Sequence, residues 1–318
     1  MLLKQFIIGY RLLRDRKECE AMYQYETALL IYNGNAGHAD TEQKLAQTLP
    51  ILSLAIKALT IIQTETIEDL NEICVEWAAK VELFIILGGD GTVHACVNAL
   101  AALQTRPTLA ILPGGTSNDF SRTLGIPQQL RAAAEAIRDG EEIAVDAGKA
   151  DSHYFLNFWG IGLVTDTSQN VDPEQKQSLG VLSYMMSTLK TLGSAEPFLY
   201  KMTIEGKTYE GEAVLVFVLN GRFIGTRELP MSTLSARDGK LNVLIVKRSN
   251  LASFRELMAM KNPATNDDTF EEVEHYHATA LTITTSPKKE VDMDGELYQT
   301  TPSDISILPH HFRMIRSV

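Results

Sequence analysis

Two glycine-rich runs follow apolar segments in the first half of the chain, and their composition suits contact with phosphate. Residues 88–92 (Gly-Gly-Asp-Gly-Thr) come directly after the apolar residues 83–87, and residues 113–116 (Pro-Gly-Gly-Thr) come directly after residues 108–112. Glycine lets the backbone turn sharply and approach a ligand closely, and the free N–H groups at the start of a following helix attract anions. The two runs therefore predict a phosphate-binding crevice.

A third run of this type, residues 33–37 (Asn-Gly-Asn-Ala-Gly), follows another apolar segment. One such loop is an ordinary turn in many α/β proteins, but three on one sheet edge are typical of a ligand site. None of the three ends in Gly-Lys-Ser/Thr, so a P-loop lysine is absent, and the dinucleotide fingerprint lacks its third glycine. We predict that a helix starts near Val93 and that Thr92 either caps it or contacts a phosphate oxygen.

Carboxylates supply the second kind of chemistry. Asp294 and Glu296 flank a glycine; on a strand they share a face, whereas in a turn either could project, and either could take a proton from an attacking hydroxyl. Asp238 precedes Gly239, an arrangement that suits a hard cation with oxygen ligands. For both segments the alternative is a solvated hairpin turn. Three further carboxylates near predicted strand ends would repel a triphosphate unless Mg²⁺ intervened: Asp90, Asp119 and Asp146.

The elements that position these groups divide the chain in two. Up to about residue 145, apolar strands alternate with helices, which predicts an open parallel sheet with right-handed crossovers. The predicted strands are 28–32, 59–63, 83–87 and 108–112, and the predicted helices are 41–57, 68–80 and 93–103. Beyond residue 146, strand-like runs have short connections and two helical interruptions, at 179–192 and 250–261. This second half predicts a mainly antiparallel β-sandwich.

Composition excludes several classes of protein. The net charge of −11 makes a broad nucleic-acid-binding face untenable, so attraction to an anionic membrane would need a local basic patch. The chain holds three scattered cysteines, which predicts reduced thiols in a cytoplasmic protein rather than a disulfide framework. No apolar run is long enough to span a bilayer. We therefore expect a cytoplasmic protein, with peripheral membrane association and a homodimer as open possibilities.

At this point a resemblance becomes specific. Residues 87–93, residues 112–127 and the late Asp-Gly-Glu at 294–296 closely resemble the bacterial diacylglycerol kinase-like lipid kinases, and the likeness extends over about residues 32–315. The first glycine loop is shared with NAD kinases and phosphofructokinase-like proteins, whereas the second loop and the Asp-Gly-Glu are more selective. The resemblance implies a phosphofructokinase/NAD kinase-like α/β domain over residues 27–145 and a β-sandwich lipid-substrate domain over residues 146–308. A return of the tail, about residues 309–318, to the first domain is an open alternative.

The resemblance also implies roles for individual residues. Glu296 is favoured as the general base by a small margin, with Asp294 sharing that role or positioning water and metal. Asp238 would bind Mg²⁺ together with the carbonyl groups of Ser235 and Lys240. Thr64 is a weaker member of the implied ATP site. The ATP-binding residues would be Asn33, Gly34, Asn35, Ala36, Gly37, Thr64, Gly88, Gly89, Asp90, Gly91, Thr92, Val93 and Thr116.

The sequence departs from the family pattern in three places. The loop at residues 33–37 lacks the proline that is usual in the family. Thr226 and Arg227 stand where glycine is expected, which leaves the identity of the lipid acceptor open. Residues 1–26 form an extension, read either as a start placed too early, with Met22 as the true start, or as a short basic amphipathic membrane anchor. The favoured function is transfer of the γ-phosphate of ATP to diacylglycerol. The alternatives are a kinase for a soluble acceptor such as NAD and a nucleotide-sensing protein without turnover.

Overall fold

The computed structural model describes residues 23–34, 38–163, 196–265 and 269–318. The predicted helix at 179–192, most of the extension at 1–26, and Asn35, Ala36 and Gly37 of the first loop lie outside these residues. The first strand begins at Tyr25, within the predicted extension. No helix in the described ranges is long and apolar enough to cross a membrane.

The N-terminal domain is built on four parallel strands in the spatial order β2-β1-β3-β4. Helices connect consecutive strands, as the alternation of apolar runs and helical stretches predicts. β1, β3 and β4 contain continuous apolar runs because both of their faces are buried; Leu29, Leu30 and Ile31 of β1 are wholly inaccessible to solvent. The strands are β1 (Tyr25–Asn33), β2 (Ile56–Thr64), β3 (Leu83–Gly88) and β4 (Thr108–Pro113).

Six helices of five or more residues are described, five in the first domain and one in the second. They are α1 (His38–Ala55), α2 (Ile67–Trp77), α3 (Asp90–Ala101), α4 (Asp119–Thr123), α5 (Leu130–Asp139) and α6 (Leu251–Ala259). One prediction is wrong: α3 starts at Asp90, with Gly89 as its N-cap, and not near Val93. Thr92 therefore lies inside the first turn and caps nothing.

The C-terminal domain is a mainly antiparallel β-sandwich, which confirms the predicted fold class. One of its sheets has the order β14-β13-β10-β7-β16-β17 among the described strands. The core between the sheets contains Trp159, Phe198 and Met202, all buried. The strands of this half are β5 (Glu141–Ala150), β6 (His153–Phe155), β7 (Phe158–Gly162), β8 (Phe198–Ile204), β9 (Lys207–Ala213), β10 (Leu215–Leu219), β11 (Phe223–Ile224), β12 (Arg227–Glu228), β13 (Leu241–Val246), β14 (Val273–Ala278), β15 (Ala280–Ser286), β16 (Glu290–Met293), β17 (Glu296–Thr300) and β18 (Ser303–Arg316).

The last strand, β18, joins the two halves of the molecule. It pairs antiparallel with β15 of the sandwich and with β5, and at Met314 it lies parallel to β4 beside Leu109. The parallel sheet consequently continues into the sandwich as one sheet, in the order β2-β1-β3-β4-β18-β15-β8-β9. Short apolar runs in the sequence predict a strand at 305–308, but they do not reveal that one strand of 14 residues belongs to both domains.

Candidate active site

The first and second glycine loops pack directly on each other at the carboxyl ends of β3 and β4. The N–H of Gly114 donates to the carbonyl of Gly88 at 2.9 Å. A Cβ atom placed on Gly115 would lie 2.5 Å from the Cα of Gly89, closer than any real side chain comes. These glycines are therefore needed for contact between the loops, a reason that sequence reasoning missed because it considered only the approach of a ligand.

Asp90 holds this junction together. Its two carboxylate oxygens accept the N–H groups of Asn118 at 2.8 Å and Asp119 at 2.7 Å. The first glycine loop is therefore hydrogen-bonded to the start of α4. Burial raises the pKa of the Asp90 carboxyl above its usual value, and the two backbone donors oppose that rise. The Asp90 side chain thus faces the second loop, and its contribution to a ligand site would come from its backbone.

A cavity of about 260 Å³ opens between the C-terminal end of β1, helix α1 and the two glycine loops at residues 88–92 and 113–116. Two residues that the sequence analysis did not select, Thr41 and Lys44, line it from α1. The Lys44 ammonium donates to the carbonyl of Gly114 at 3.1 Å and pairs with Asp40 at 2.6 Å. Thr41 and Lys44 are three residues apart, which puts them on one face of α1, the helix that follows the loop at residues 33–37. This spacing is the signal in the sequence that could have identified them.

The structure gathers most of the predicted ATP-binding residues at this edge. Asn33 ends β1 and lies opposite Thr64 in the β1–β2 register. The buried hydroxyl of Thr64 donates to the carbonyl of Tyr32 at 3.3 Å, so it stabilises the strand end. Thr116 is exposed at the tip of the second glycine loop, and Val93 is buried behind the first glycine loop. The residues gathered here are Asn33, Gly34, Thr64, Gly88, Gly89, Asp90, Gly91, Thr92, Val93 and Thr116.

Glu296 reaches this edge from the sandwich domain. It is an exposed residue at the start of β17, and its Oε1 atom would lie 3.0 Å from a Cβ atom on Gly91. A side chain at Gly91 would require the carboxylate to shift by a few tenths of an ångström. A solvent-accessible carboxylate from one domain therefore faces the first glycine loop of the other.

Asp294 has a different environment from Glu296. Its side chain is 4% exposed, and its two oxygens accept the N–H groups of Leu156, Asn157 and Phe158 at 2.8 to 2.9 Å. The residue adopts φ +54°, a left-handed conformation that Asp tolerates better than most residues. Asp294 thus fixes the turn that carries Glu296 to the segment between β6 and β7.

A buried histidine supports the same turn from α3. The Nδ1 atom of His94 lies 3.4 Å from an Asp294 oxygen, and the hydroxyl of Tyr298 hydrogen-bonds to Nε2. Burial, reinforced by the nearby charges of Glu296 and Asp294, raises the pKa of Tyr298 to about 12, so its hydroxyl keeps its proton. Sequence reasoning missed His94 and Tyr298 because only the fold brings residues 200 positions apart into contact.

The loop between β10 and β13, where Thr226 and Arg227 depart from the family pattern, is tied to α4. The Asp119 carboxylate, which is 7% exposed, accepts the N–H groups of Gly225 at 2.6 Å and Thr226 at 2.8 Å. Thr226 has φ +71°, which explains why a glycine is expected there. This loop is therefore attached to the same helix start that Asp90 holds.

Replacing Thr226 with glycine is expected to raise the free energy of unfolding by about 1 kcal/mol, because a β-branched residue is strained at positive φ. Urea denaturation of the two proteins measures the difference. Thr208→Gly is the matched control, since Thr208 lies in β9 and is not among the residues with positive φ; it should lower stability. A loss of stability with Thr226→Gly would contradict the presence of strain.

The stability of this attachment should depend on pH. Burial, with a smaller contribution from the neighbouring Asp90 charge, raises the pKa of Asp119 to about 6 from a usual 3.8. The folded protein thus binds this proton more tightly than the unfolded chain, so Asp119 lowers the free energy of unfolding as pH rises from 3.8 to 6, by about 3 kcal/mol in total. Comparing urea denaturation of wild type and Asp119→Asn between pH 4 and pH 7 tests this expectation. A difference between the two that stays constant with pH would contradict it.

The predicted metal segment forms a tight turn held by Asp146. The wholly buried Asp146 carboxylate accepts the N–H groups of Gly239 and His310, each at 2.7 Å. Asp238 is exposed, and one of its oxygens accepts the N–H of Lys240 at 3.1 Å. An exposed carboxylate beside backbone carbonyls is an oxygen-only donor set, which fits Mg²⁺ and its retained waters.

The expectation that Mg²⁺ must separate a triphosphate from three clustered carboxylates is not supported by this geometry. Asp90, Asp119 and Asp146 each accept two backbone N–H groups, and these bonds account for their positions without a cation. In the described part of the chain, no group of three or more His, Cys, Asp and Glu side chains forms a metal cluster. A magnesium site would therefore depend on Asp238 with the carbonyls of Ser235 and Lys240.

Comparisons with known proteins agree with this architecture. Residues 27–150 match the diacylglycerol kinase catalytic domain, and residues 161–316 match the YegS C-terminal NAD kinase beta sandwich-like domain. A Staphylococcus aureus strain Mu3 protein named "Putative lipid kinase" is 32% identical over 92% of this chain and 97% of its own length. A crystal structure titled as a putative diacylglycerol kinase from Bacillus anthracis strain Sterne has a TM-score of 0.84 at 42% identity, covering 92% of this chain and 98% of that one.

A second Bacillus anthracis structure, titled as a diacylglycerol kinase, has a TM-score of 0.77 at 38% identity over the same share of both chains. An N-terminal α/β domain of glycine loops joined to an antiparallel sandwich thus defines a two-domain kinase fold. The chain belongs to the family of bacterial diacylglycerol kinase-like lipid kinases, which confirms the resemblance seen in the sequence.

Proposed function

We propose that the protein transfers the γ-phosphate of ATP to the hydroxyl group of diacylglycerol, giving phosphatidic acid, with Mg²⁺ as cofactor. The observation that carries this proposal is the Glu296 carboxylate, which reaches from the sandwich domain to Gly91 of the first glycine loop. A carboxylate that faces a phosphate-binding loop can orient and deprotonate an attacking alcohol during phosphoryl transfer.

ATP would bind at the carboxyl edge of the parallel sheet, where Asn33, Gly34, Thr64, the first glycine loop and Thr116 converge. The last three residues of the first glycine loop form the first turn of α3, whose free N–H groups favour phosphate. Lys44 is the charged residue among those that line the cavity, and it would supply positive charge beside the backbone N–H groups of the glycine loops. Positioning and charge neutralisation are the main needs of the reaction.

In the proposed reaction, the acceptor oxygen forms a bond to the γ-phosphorus as the bond to the β-phosphate oxygen breaks, and ADP leaves. Glu296 takes the proton of the acceptor hydroxyl. Asp294 holds the turn of Glu296 in place and has its oxygens occupied by three backbone N–H groups. We therefore assign the base to Glu296 and a positioning role to Asp294.

Mg²⁺ would be held by Asp238 and the carbonyls of Ser235 and Lys240. When bound, the ion would supply positive charge that stabilises the turn around the Asp238 carboxylate. The turn that carries Asp238 is anchored by Asp146, whose carboxylate accepts the N–H of Gly239 and also the N–H of His310 in β18.

We place the reaction on the cytoplasmic side of the membrane, in line with the neighbouring thiols of Cys74 and Cys96, which are free and buried.

Replacing Lys44 with methionine is expected to raise the KM for ATP about tenfold, because a charge-assisted contact to phosphate is lost while the apolar stem remains. Steady-state kinetics with varied ATP measures the change. Lys57→Met is the control, since Lys57 lies on β2 and pairs with Glu26 at 2.7 Å, away from the cavity. An unchanged KM with lowered stability would show that Lys44 only clamps α1 to the second glycine loop.

The overall proposal is tested by incubating the protein with ATP, Mg²⁺ and dispersed diacylglycerol, phosphatidylglycerol or sphingoid base, and identifying the product by mass. Phosphatidic acid from diacylglycerol is the expected result. NAD is included as a soluble acceptor, because the second matched domain is described as NAD kinase beta sandwich-like. Phosphorylation of NAD alone would replace the lipid acceptor, and thermal stabilisation by ATP without any product would indicate a nucleotide sensor.

A further inference from the structure

A groove of about 540 Å³ lies between the β11–β12 hairpin and α6, apart from the glycine-loop cavity. Its size falls within the range of about 300 to 1,000 Å³ typical of ligand pockets. Its floor is apolar: Leu229 and Met231 are buried, and Phe254 is half-buried. The groove therefore offers apolar surface that a water-soluble anion alone would not use.

The apolar surface continues outward along α6. Met258 lines the groove and is 42% exposed, and Leu251 is 46% exposed. The two residues are seven positions apart, so they lie on the same face of the helix. This helix face extends the groove floor to the molecular surface.

Three cations and one carboxylate surround this apolar floor. Arg222 pairs with Glu228, whereas Arg227 and Lys261 are exposed and have no carboxylate partner among the described residues. The protein as a whole carries a net charge of −11, so an excess of positive charge around one groove is a local exception. Cations above an apolar floor complement a molecule with an anionic head and an apolar body.

The groove is joined directly to the candidate active site. The N–H of Arg222 donates to the hydroxyl of Thr123 in α4 at 3.2 Å, and Asp119 at the start of α4 binds the loop at Gly225 and Thr226. A ligand in the groove would therefore lie beside the loop that Asp119 attaches to α4. Neither the proposed base nor the glycine loops line the groove.

We propose that this groove binds an anionic phospholipid at a bilayer surface and so presents the cleft to the membrane. Arg227 and Lys261 would contact the phosphate of the headgroup, and Met258 with Phe254 would contact the adjoining glycerol and acyl carbons. This inference deepens the proposed function and rests on it for the reason to approach a membrane. The binding itself involves neither ATP nor phosphate transfer.

The full chain is tested by co-sedimentation with phosphatidylcholine vesicles that contain or lack phosphatidylglycerol, without ATP or Mg²⁺. Binding to the anionic vesicles only is expected. Arg227→Ala/Lys261→Ala should weaken it roughly twentyfold, since each basic group near an anionic surface contributes to binding. The matched control is Lys201→Ala/Lys207→Ala, which removes two exposed lysines from β8 and β9 and should bind like wild type.

The apolar contribution is tested separately. Met258→Gln should weaken vesicle binding about fivefold, because apolar area no longer leaves water. Val75→Gln on α2, at a residue 55% exposed, is the control and should bind like wild type. Unfolding temperatures close to that of wild type would show that each variant is folded.

Three outcomes would overturn the inference: equal binding to both kinds of vesicle, full binding by the Arg227/Lys261 variant, or displacement of the protein from vesicles by millimolar glycerol phosphate, which would indicate a site for a free phosphate. Failure of the proposed function gives a different pattern. Vesicle binding would then retain its dependence on Arg227, Lys261 and Met258, while no lipid is phosphorylated by any variant.

Discussion

Glu296→Gln is expected to lower the kcat of diacylglycerol phosphorylation by about 10²- to 10⁴-fold, the contribution typical of a positioned general base. The amide keeps the size of the side chain beside Gly91 but cannot take the hydroxyl proton. Since Glu296 is exposed, the free energy of unfolding should stay within about 0.5 kcal/mol of wild type. Single-turnover kinetics separates the loss in the chemical step from any change in ATP binding.

Glu290→Gln is the matched control for this prediction. It makes the same change on an exposed glutamate of the same hairpin, in β16, away from the glycine loops. Full activity is expected for the control. If Glu296→Gln keeps wild-type kcat, the base is another group and the proposed role of Glu296 is wrong.

Asp294→Asn is expected to have the opposite profile, a loss of about 3 kcal/mol in the free energy of unfolding. The buried carboxylate accepts three backbone N–H groups, and an amide would turn its own N–H donors toward some of them. Asparagine tolerates the left-handed backbone at φ +54°, so the loss reports on the hydrogen bonds rather than on strain. Urea denaturation measures it.

Asp304→Asn provides the comparison, because Asp304 is an exposed aspartate on β18 and the same change there should alter stability by less than about 0.5 kcal/mol. Activity will fall with Asp294→Asn as the Glu296 turn loosens. Wild-type stability combined with a large loss of kcat would show that Asp294 takes part in the chemistry. The two aspartate variants and the two glutamate variants together separate positioning from proton transfer.

The elements around the site could be predicted from the sequence because their signals are local. The central residues of β1, β3 and β4 form apolar runs, since both faces of these parallel strands are buried there, and each strand ends in asparagine, glycine or proline. The position of three loops at one sheet edge follows from that pattern. The start of α3 does not follow from the pattern of apolar residues: the helix begins at Asp90 because Gly89, with extended backbone, serves as its N-cap.

The roles of the acidic residues could not be predicted in the same way. A sequence shows that Asp90 and Asp294 carry charge, but not which backbone N–H groups the fold brings to them. Asp90 meets a loop 28 residues later, and Asp294 meets a segment more than 130 residues earlier. The same limit hid Lys44, whose partner Gly114 is 70 residues away.

The strand β18 has a consequence for how this protein can be dissected. The chain's last strand completes the sheet of its first domain, because β18 lies between β4 and the sandwich strand β15 and also pairs with β5. A fragment that ends near residue 150 would leave the open edges of β4 and β5 without their partner, and unpaired edges invite aggregation. The two matched regions are therefore not two separable modules, because the sheet of the N-terminal half is completed by a strand that follows the sandwich strands in the sequence.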